Sequence, residues 1–263
     1  MQQIVSDYQQ MEADGMEKEL EKTDWQIVNS WLGTLYPELR DTSNYKTMIS
    51  YVDPDKLTGF YERRQQVLDE FLEVSGQVGA EKEYLHQIER KVEKPFHYEW
   101  VEGWSTLLGS MVADLGVVMA LFLGIVLSSL FAGEWHDNTS TLVLTTRNGW
   151  GKIALAKILT GLAFTVELFA LLAVSNVISQ LFFMGTAGWD MPIQNIKLIA
   201  VAPMNMLQAE IYEYAFVLLG AIGFAGIVMF ISAAVKNNVL TLLLSLAVVY
   251  GPMMIAEYLP YEM

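Results

Sequence analysis

The chain has 263 residues, no cysteine, 30 acidic and 16 basic side chains, and a formal net charge of −14. It is 53% hydrophobic and only 17% charged, where soluble domains carry about 25% charged residues, so the composition argues against an ordinary soluble enzyme. Lack of cysteine excludes a disulfide scaffold, a thiolate zinc site and a cysteine nucleophile, and the acidic balance argues against a nucleic-acid partner, whose phosphates need a basic face.

The charge is unevenly spread. Residues 1–104 hold 21 acids and 11 bases, whereas residues 105–263 hold 9 acids and 5 bases. The length is that of one to two domains. The split divides it into a polar acidic region, 1–104, and a very apolar region, 105–263.

The acidic region reads as helical. Residues 3–36 predict one or two helices, with Trp25, Val28, Trp31 and Leu32 on an apolar face. Asp53-Pro54-Asp55 reads as a turn. Leu57, Phe60, Tyr61, Leu68 and Phe71 recur at helical spacing, with Thr58 as a cap, and Val78, Leu85, Ile88 and Val92 do the same. The turn Ser75–Ala80 joins these runs, so 57–93 predicts an αα-hairpin ended by Pro95. Phe96, Tyr98, Trp100 and Trp104 then bunch ahead of the first apolar run. They fit either a membrane-interface belt or aromatic packing within the region.

The apolar region contains four candidate membrane spans. They are Leu107–Leu130, interrupted by Asp114; Ile158–Met184, interrupted by Glu167; Tyr214–Val235, without a charge; and the shorter Val239–Ala256. A helix needs roughly 20 apolar residues to cross the hydrocarbon layer. Backbone groups in lipid must be satisfied within the element, so such runs are helices. The expected fold is therefore all-α: a polytopic bundle of four spans, 105–263, behind an N-terminal helical extracytoplasmic domain, 1–104.

The basic residues set the orientation. Arg147, Lys152 and Lys157 lie between the first two candidates and Lys236 between the last two, while Lys197 is the one base in the loop 185–210. The positive-inside rule puts 134–157 and 236–238 in the cytoplasm, and 1–104, 185–210 and the C-terminal end outside. The hydrophilic start of the chain has no signal pattern to carry an external domain across. Either a span precedes residue 1 or the orientation is reversed, and the preceding span is the favoured expectation; the sequence also stops just after a helix exits outside, so a final span beyond residue 263 is expected too, in a longer protein of the plasma membrane.

The cytoplasmic segment FAGEWHDNTSTLVLTTRNGWGKIALAK, Phe131 to Lys157, has its own logic. Glu134 follows the first span by one turn. Asn138-Thr139 can cap a short helix with Leu142, Val143 and Leu144 on its apolar side. Arg147-Asn148-Gly149 is a turn signal, and Lys152 and Lys157 open the second span. A short amphipathic helix lying along the membrane surface suits a mechanical contact.

This segment resembles that of the permease subunit of bacterial type-2 ATP-binding-cassette (ABC) transporters. In that exporter-like class a span is followed by a pattern close to F-x-x-E-x-x-x-G-T-x-x-x-L-L, then a small-residue turn with Arg and a Lys opening the next span. Phe131, Glu134, Thr139, Leu142, Leu144, Arg147 and Lys157 stand at or near those places, and Asn138 replaces the Gly. The resemblance covers about 95–256. It implies that a separate ATPase subunit hydrolyses ATP and drives the spans through 134–151, with Glu134, Asn138, Thr139, Arg147 and Lys157 at the contact. It also implies a second permease subunit, in a homo- or heterodimer.

The chain carries no phosphate-binding loop; Gly149-Trp150-Gly151-Lys152 lacks both the spacing and the following Ser or Thr. It is therefore not expected to be an enzyme by itself, and no cofactor is implied. Glu167 lies about 14 Å inside the second span at 1.5 Å per residue. It and Asn176 read either as lining of a substrate pathway or as structural hydrogen-bonding groups between helices. His86, His97 and His136 are scattered and suggest no metal site. The alternative reading is a membrane-anchored sensor or ligand-binding protein using 1–104. Its weakness is that about two dozen residues lie in the cytoplasm, too few for a signalling domain.

Overall fold

The computed structural model describes residues 1–16, 25–41, 43, 46–96, 101–136 and 151–258. Among them every regular element is helical, with one isolated β-type bridge between Pro192 and Asn205. The helices are α1 Gln2–Ala13, α2 Trp25–Leu35, α3 Met48–Tyr51, α4 Phe60–Val74, α5 Ala80–Glu89, α6 Glu102–Thr106, α7 Val112–His136, α8 Lys152–Met184, α9 Met206–Val235 and α10 Asn238–Tyr258. A π-helical stretch, Leu107–Met111, lies between α6 and α7. The chain forms two compact units: Met1–Ser105 with Met184–Ala209, and Thr106–Phe183 with Glu210–Met263.

In the first unit, the apolar faces of α1 to α4 are too narrow to bury one another by pairs, so they gather around one core. Val5, Val28, Trp31, Leu32, Leu35, Met48, Ile49 and Leu57 form it, and Leu198, from the segment between α8 and α9, joins them. The predicted hairpin is present as α4 and α5, with two differences. The cap of α4 is Gly59, in the left-handed region at φ 64°, and not Thr58. Leu57 lies ahead of the helix and is buried, while Val78 is exposed in the turn. Apolar spacing alone does not separate a helical residue from a buried or exposed neighbour just outside the helix.

Residues 184–209 leave and return within this unit. Met206 N donates to Met191 O at 2.9 Å, Ile193 N to Met204 O at 3.1 Å and Leu207 N to Trp189 O at 3.0 Å, which ties the two ends of the excursion together. The compact excursion with close ends is an Ω-loop in form. Gln194 braces its interior by donating to Ala200 O and Ala202 O, and Trp31 Nε1 donates to Asn195 O at 3.0 Å.

Arg64 is the polar centre of the unit. Its side chain is fully buried. Nε donates to Leu198 O at 2.7 Å and Nη2 to Ala200 O at 3.1 Å, while Nη1 bonds the buried Glu89 carboxylate of α5. Lys94 Nζ bonds the same carboxylate at 2.9 Å, and the Phe96 ring lies 5.3 Å from the guanidinium carbon. A buried charge needs this degree of pairing, and the fixed fork of arginine supplies several donors at once.

The second unit is a bundle. Leu115, Met119, Leu123 and Leu127 of α7 meet Ala221, Phe224, Ala225, Val228 and Met229 of α9, with Ala173 of α8 in the same core. Among the described residues three helices are long and apolar enough to cross a membrane: Val112–Trp135, Lys152–Met184 and Met206–Val235. The fourth candidate forms the helix α10, but its apolar part, Asn238–Pro252, is shorter than the other three. Pro252 sits inside α10 and does not end it. The helices α8 and α9, with 33 and 30 residues, exceed the apolar runs Ile158–Met184 and Tyr214–Val235. About 20 residues suffice for the hydrocarbon layer, and the added turns carry Lys152, Lys157 and Glu213, together with the buried Glu210.

The small residues of α9 differ in what surrounds them. Ala221 and Ala225 are buried, but a Cβ at Gly220, Gly223 or Gly226 would meet nothing within 4 Å. Close approach occurs instead at Gly124, where a Cβ would lie 3.4 Å from Leu242 of α10, and at Gly161 of α8, where it would lie 2.7 Å from Met229 Sδ. Of these three helices α8 is the least covered: 11% of its apolar window is buried, against 44% for α7 and 33% for α9.

Candidate functional site

The end of α7 and the start of α8 flank residues 137–150, and two of the side chains singled out in the sequence meet there. Lys157 Nζ bonds Glu134 Oε1 at 2.7 Å. It also donates to the Leu130 carbonyl at 2.7 Å and lies 4.9 Å from the centroid of the Phe131 ring. Leu130 O belongs to the last turns of α7, where a cation interacts favourably with the helix dipole. The lysine thus stacks, donates and pairs at once. Asn138, Thr139 and Arg147 lie outside the described residues.

A second cation bears on the same helix end. The connection between α9 and α10 places Lys236 in the left-handed region at φ 57°, and its Nζ sits 3.8 Å from the centroid of the Trp135 ring. Asn237 then caps α10, its Oδ1 accepting from Leu240 N at 3.0 Å. One turn inward, Ser232 of α9 enters the ladder of α7. Its hydroxyl donates to Ser128 O at 2.7 Å and accepts from Phe131 N and Ala132 N at 3.1 and 3.0 Å. The end of α7 is therefore clamped from α8 by Lys157 and from the α9–α10 corner by Ser232 and Lys236. Ser232 gives no signal in the sequence, because a serine in an apolar run reads the same whether or not it meets a neighbouring backbone.

The two residues read as pathway lining are apart. Glu167 is on the exposed side of α8. Asn176 is half-buried and faces the Tyr214 hydroxyl of α9. Among the described residues no group of three or more His, Asp or Glu gathers as a metal site would require.

Comparison with protein families, with curated proteins and with solved structures gives no match to this chain.

Proposed function

We propose that this chain is the transmembrane permease subunit of a bacterial type-2 ABC transporter, working in export and driven by a separate ATPase subunit. The observation that carries the reading is the meeting of Phe131, Glu134 and Lys157 at the two ends of segment 137–150. These are three of the positions on which the resemblance rests. A coupling segment must transmit force to its spans, and a joint that locks the end of one crossing helix to the start of the next suits that purpose.

Two further observations support the reading. Residues 1–105 and 184–209 share one core, as they should if both lie on the same, external side. Glu167 sits on the least covered crossing helix, and an ionisable group at that depth is costly against lipid. A second permease subunit or a substrate pathway over that face of α8 would relieve the cost. Asn176 belongs to the same proposed pathway.

The test is reconstitution of the full chain with its candidate ATPase subunit in lipid nanodiscs. ATP hydrolysis should rise when the permease is present, and Arg147→Ala should abolish the rise without loss of the permease from the disc. ATPase activity indifferent to the permease would overturn the reading.

The sensor reading finds one observation in the first unit, a cavity of about 440 Å³ lined by Lys91, Glu93, Asp190, Met191, Gln194 and Met204 among others. Its size is within the range of small-molecule sites. Ligand binding there, with no ATPase partner found, would favour that alternative.

A further inference from the structure

The opposite ends of α8 and α9 from the Glu134–Lys157 pair hold a carboxyl group that accepts no well-formed hydrogen bond among the described residues. Glu210 is 4% exposed, and neither of its oxygens accepts a hydrogen bond. One turn along α9, the buried Tyr214 directs its hydroxyl toward the Glu210 carboxyl and toward Asn176 of α8, yet it closes a well-formed hydrogen bond with neither. One turn beyond Asn176, Gln180 is also buried, and its Nε2 is without a partner. The Phe169 ring packs edge-on against the Tyr214 ring at 6.1 Å between centroids and covers that side with hydrocarbon.

Three neighbouring residues set the local charge balance. Glu213, on the same helix, adds a second negative charge, while Tyr214 and the Asn176 of α8 are neutral. Among the described residues no cationic side chain pairs with Glu210. A buried charge without a partner is far more costly than a buried neutral group, so such a carboxyl is found either neutralised or holding a cation. The atoms that converge are carboxyl, phenol and amide groups. Oxygen donors of this kind suit hard cations and not the soft metals that thiolates select. Among the described residues no set of acidic and histidine ligands gathers here, so the single carboxyl suits one positive charge and not a tightly held divalent ion.

We propose that Glu210, Tyr214 and Asn176 form a binding site for a single small cation, a proton or an alkali-metal ion, between the outer ends of α8 and α9. The proposal does not rest on the permease reading. A cation bound there replaces the missing partner of Glu210, and its release leaves a repelled pair, Glu210 and Glu213, one turn apart or less. Occupancy would therefore bias how closely these helix ends pack.

The test is infrared difference spectroscopy on the purified full-length protein in lipid nanodiscs, with choline as the only salt cation at the start. A carbonyl stretch of a protonated carboxylic acid should be present, should disappear as pH rises, and should be lost in Glu210→Gln but kept in Glu213→Gln. Loss of that band when sodium or potassium chloride replaces choline chloride at fixed pH assigns the site to an alkali ion competing with the proton. A band that responds to pH alone assigns it to the proton. Should Glu210→Gln fail to fold, Tyr214→Phe, which removes only the hydroxyl, should shift the same band. The absence of any Glu210-dependent band, together with equal radioactive sodium binding by wild type and variants, would overturn the proposal.

Discussion

Lys157 Nζ reaches Glu134 Oε1 at 2.7 Å, joining the start of α8 to the end of α7 across the ends of segment 137–150. Glu134 is the exchangeable member of the pair. Without it, Lys157 retains the Leu130 carbonyl and the Phe131 ring. Removing Lys157 loses all three contacts. Lys157→Ala should therefore lower thermal stability more than Glu134→Ala, by about 1–3 kcal/mol for a hydrogen bond involving a charged group. Melting of both variants in the same detergent checks the order. Equal losses would mean that the ion pair, and not the lysine's other contacts, holds the joint.

The proposed coupling role predicts a separate effect. Glu134→Ala should reduce transport-linked ATP hydrolysis while the protein remains in the membrane, because a residue at the contact transmits motion without being needed for insertion. Membrane fractionation beside ATPase measurement separates the two. Full coupling in both Glu134→Ala and Arg147→Ala would remove the proposed role of this segment.

Topology is open to direct labelling. A cysteine at Ser75 should react with an impermeant thiol reagent in intact cells, and one at Ser140 should react only after permeabilisation. The chain has no native cysteine to interfere. The reverse pattern would invert the orientation drawn from Arg147, Lys152, Lys157 and Lys236.

Arg64 predicts the behaviour of the first unit. Arg64→Met leaves the Glu89 carboxylate buried with a single cation and strips the Leu198 carbonyl of its side-chain donor, while Ala200 O keeps Gln194. Breaking a buried pair from one side costs about 3–5 kcal/mol, so the unit should unfold well below the wild-type temperature, visible in tryptophan fluorescence. Burial works against the charge of Glu89, but Lys94 and Arg64 outweigh it and hold the carboxyl below the usual carboxylate range. A lowered folded value stabilises the fold above the ordinary carboxyl range and loses that contribution as pH falls through the folded value. Acidification should accordingly unfold the wild type, and Glu89→Gln should flatten that acid dependence.

Gly161 fixes how closely α8 approaches α7 and α9. An added Cβ would lie 2.7 Å from Met229 Sδ and 3.4 Å from Cδ2 of both Leu127 and Leu130. Methionine is flexible enough to yield, so Gly161→Ala should cost little. Gly161→Leu must also displace the two leucines, and overpacking of that kind costs about 1–3 kcal/mol or more. Comparing the folded yield of the two variants is sufficient; equal yields would mean that the helices separate freely.

The membrane class of the second unit, and the existence of nearly every long helix, followed from properties of single segments. Length, apolarity and the placement of a few lysines are local, and the backbone's need for internal hydrogen bonds converts them into helices. Phe131, Glu134 and Lys157 were likewise legible as positions in a pattern. That they touch was not, because the contact spans the intervening segment 137–150. The same holds for Arg64, which reads as one more charge on the amphipathic α4 until Leu198 and Ala200 bring their carbonyls to it from more than a hundred residues away. The glycines make the point most sharply. Gly220, Gly223 and Gly226 have the spacing of a packing face and meet nothing, while Gly124 and Gly161, without such a pattern, sit where helices close on one another. Spacing fixes which residues share a face of one helix; which face meets a neighbour depends on how all the helices pack, and that is decided only by the tertiary structure.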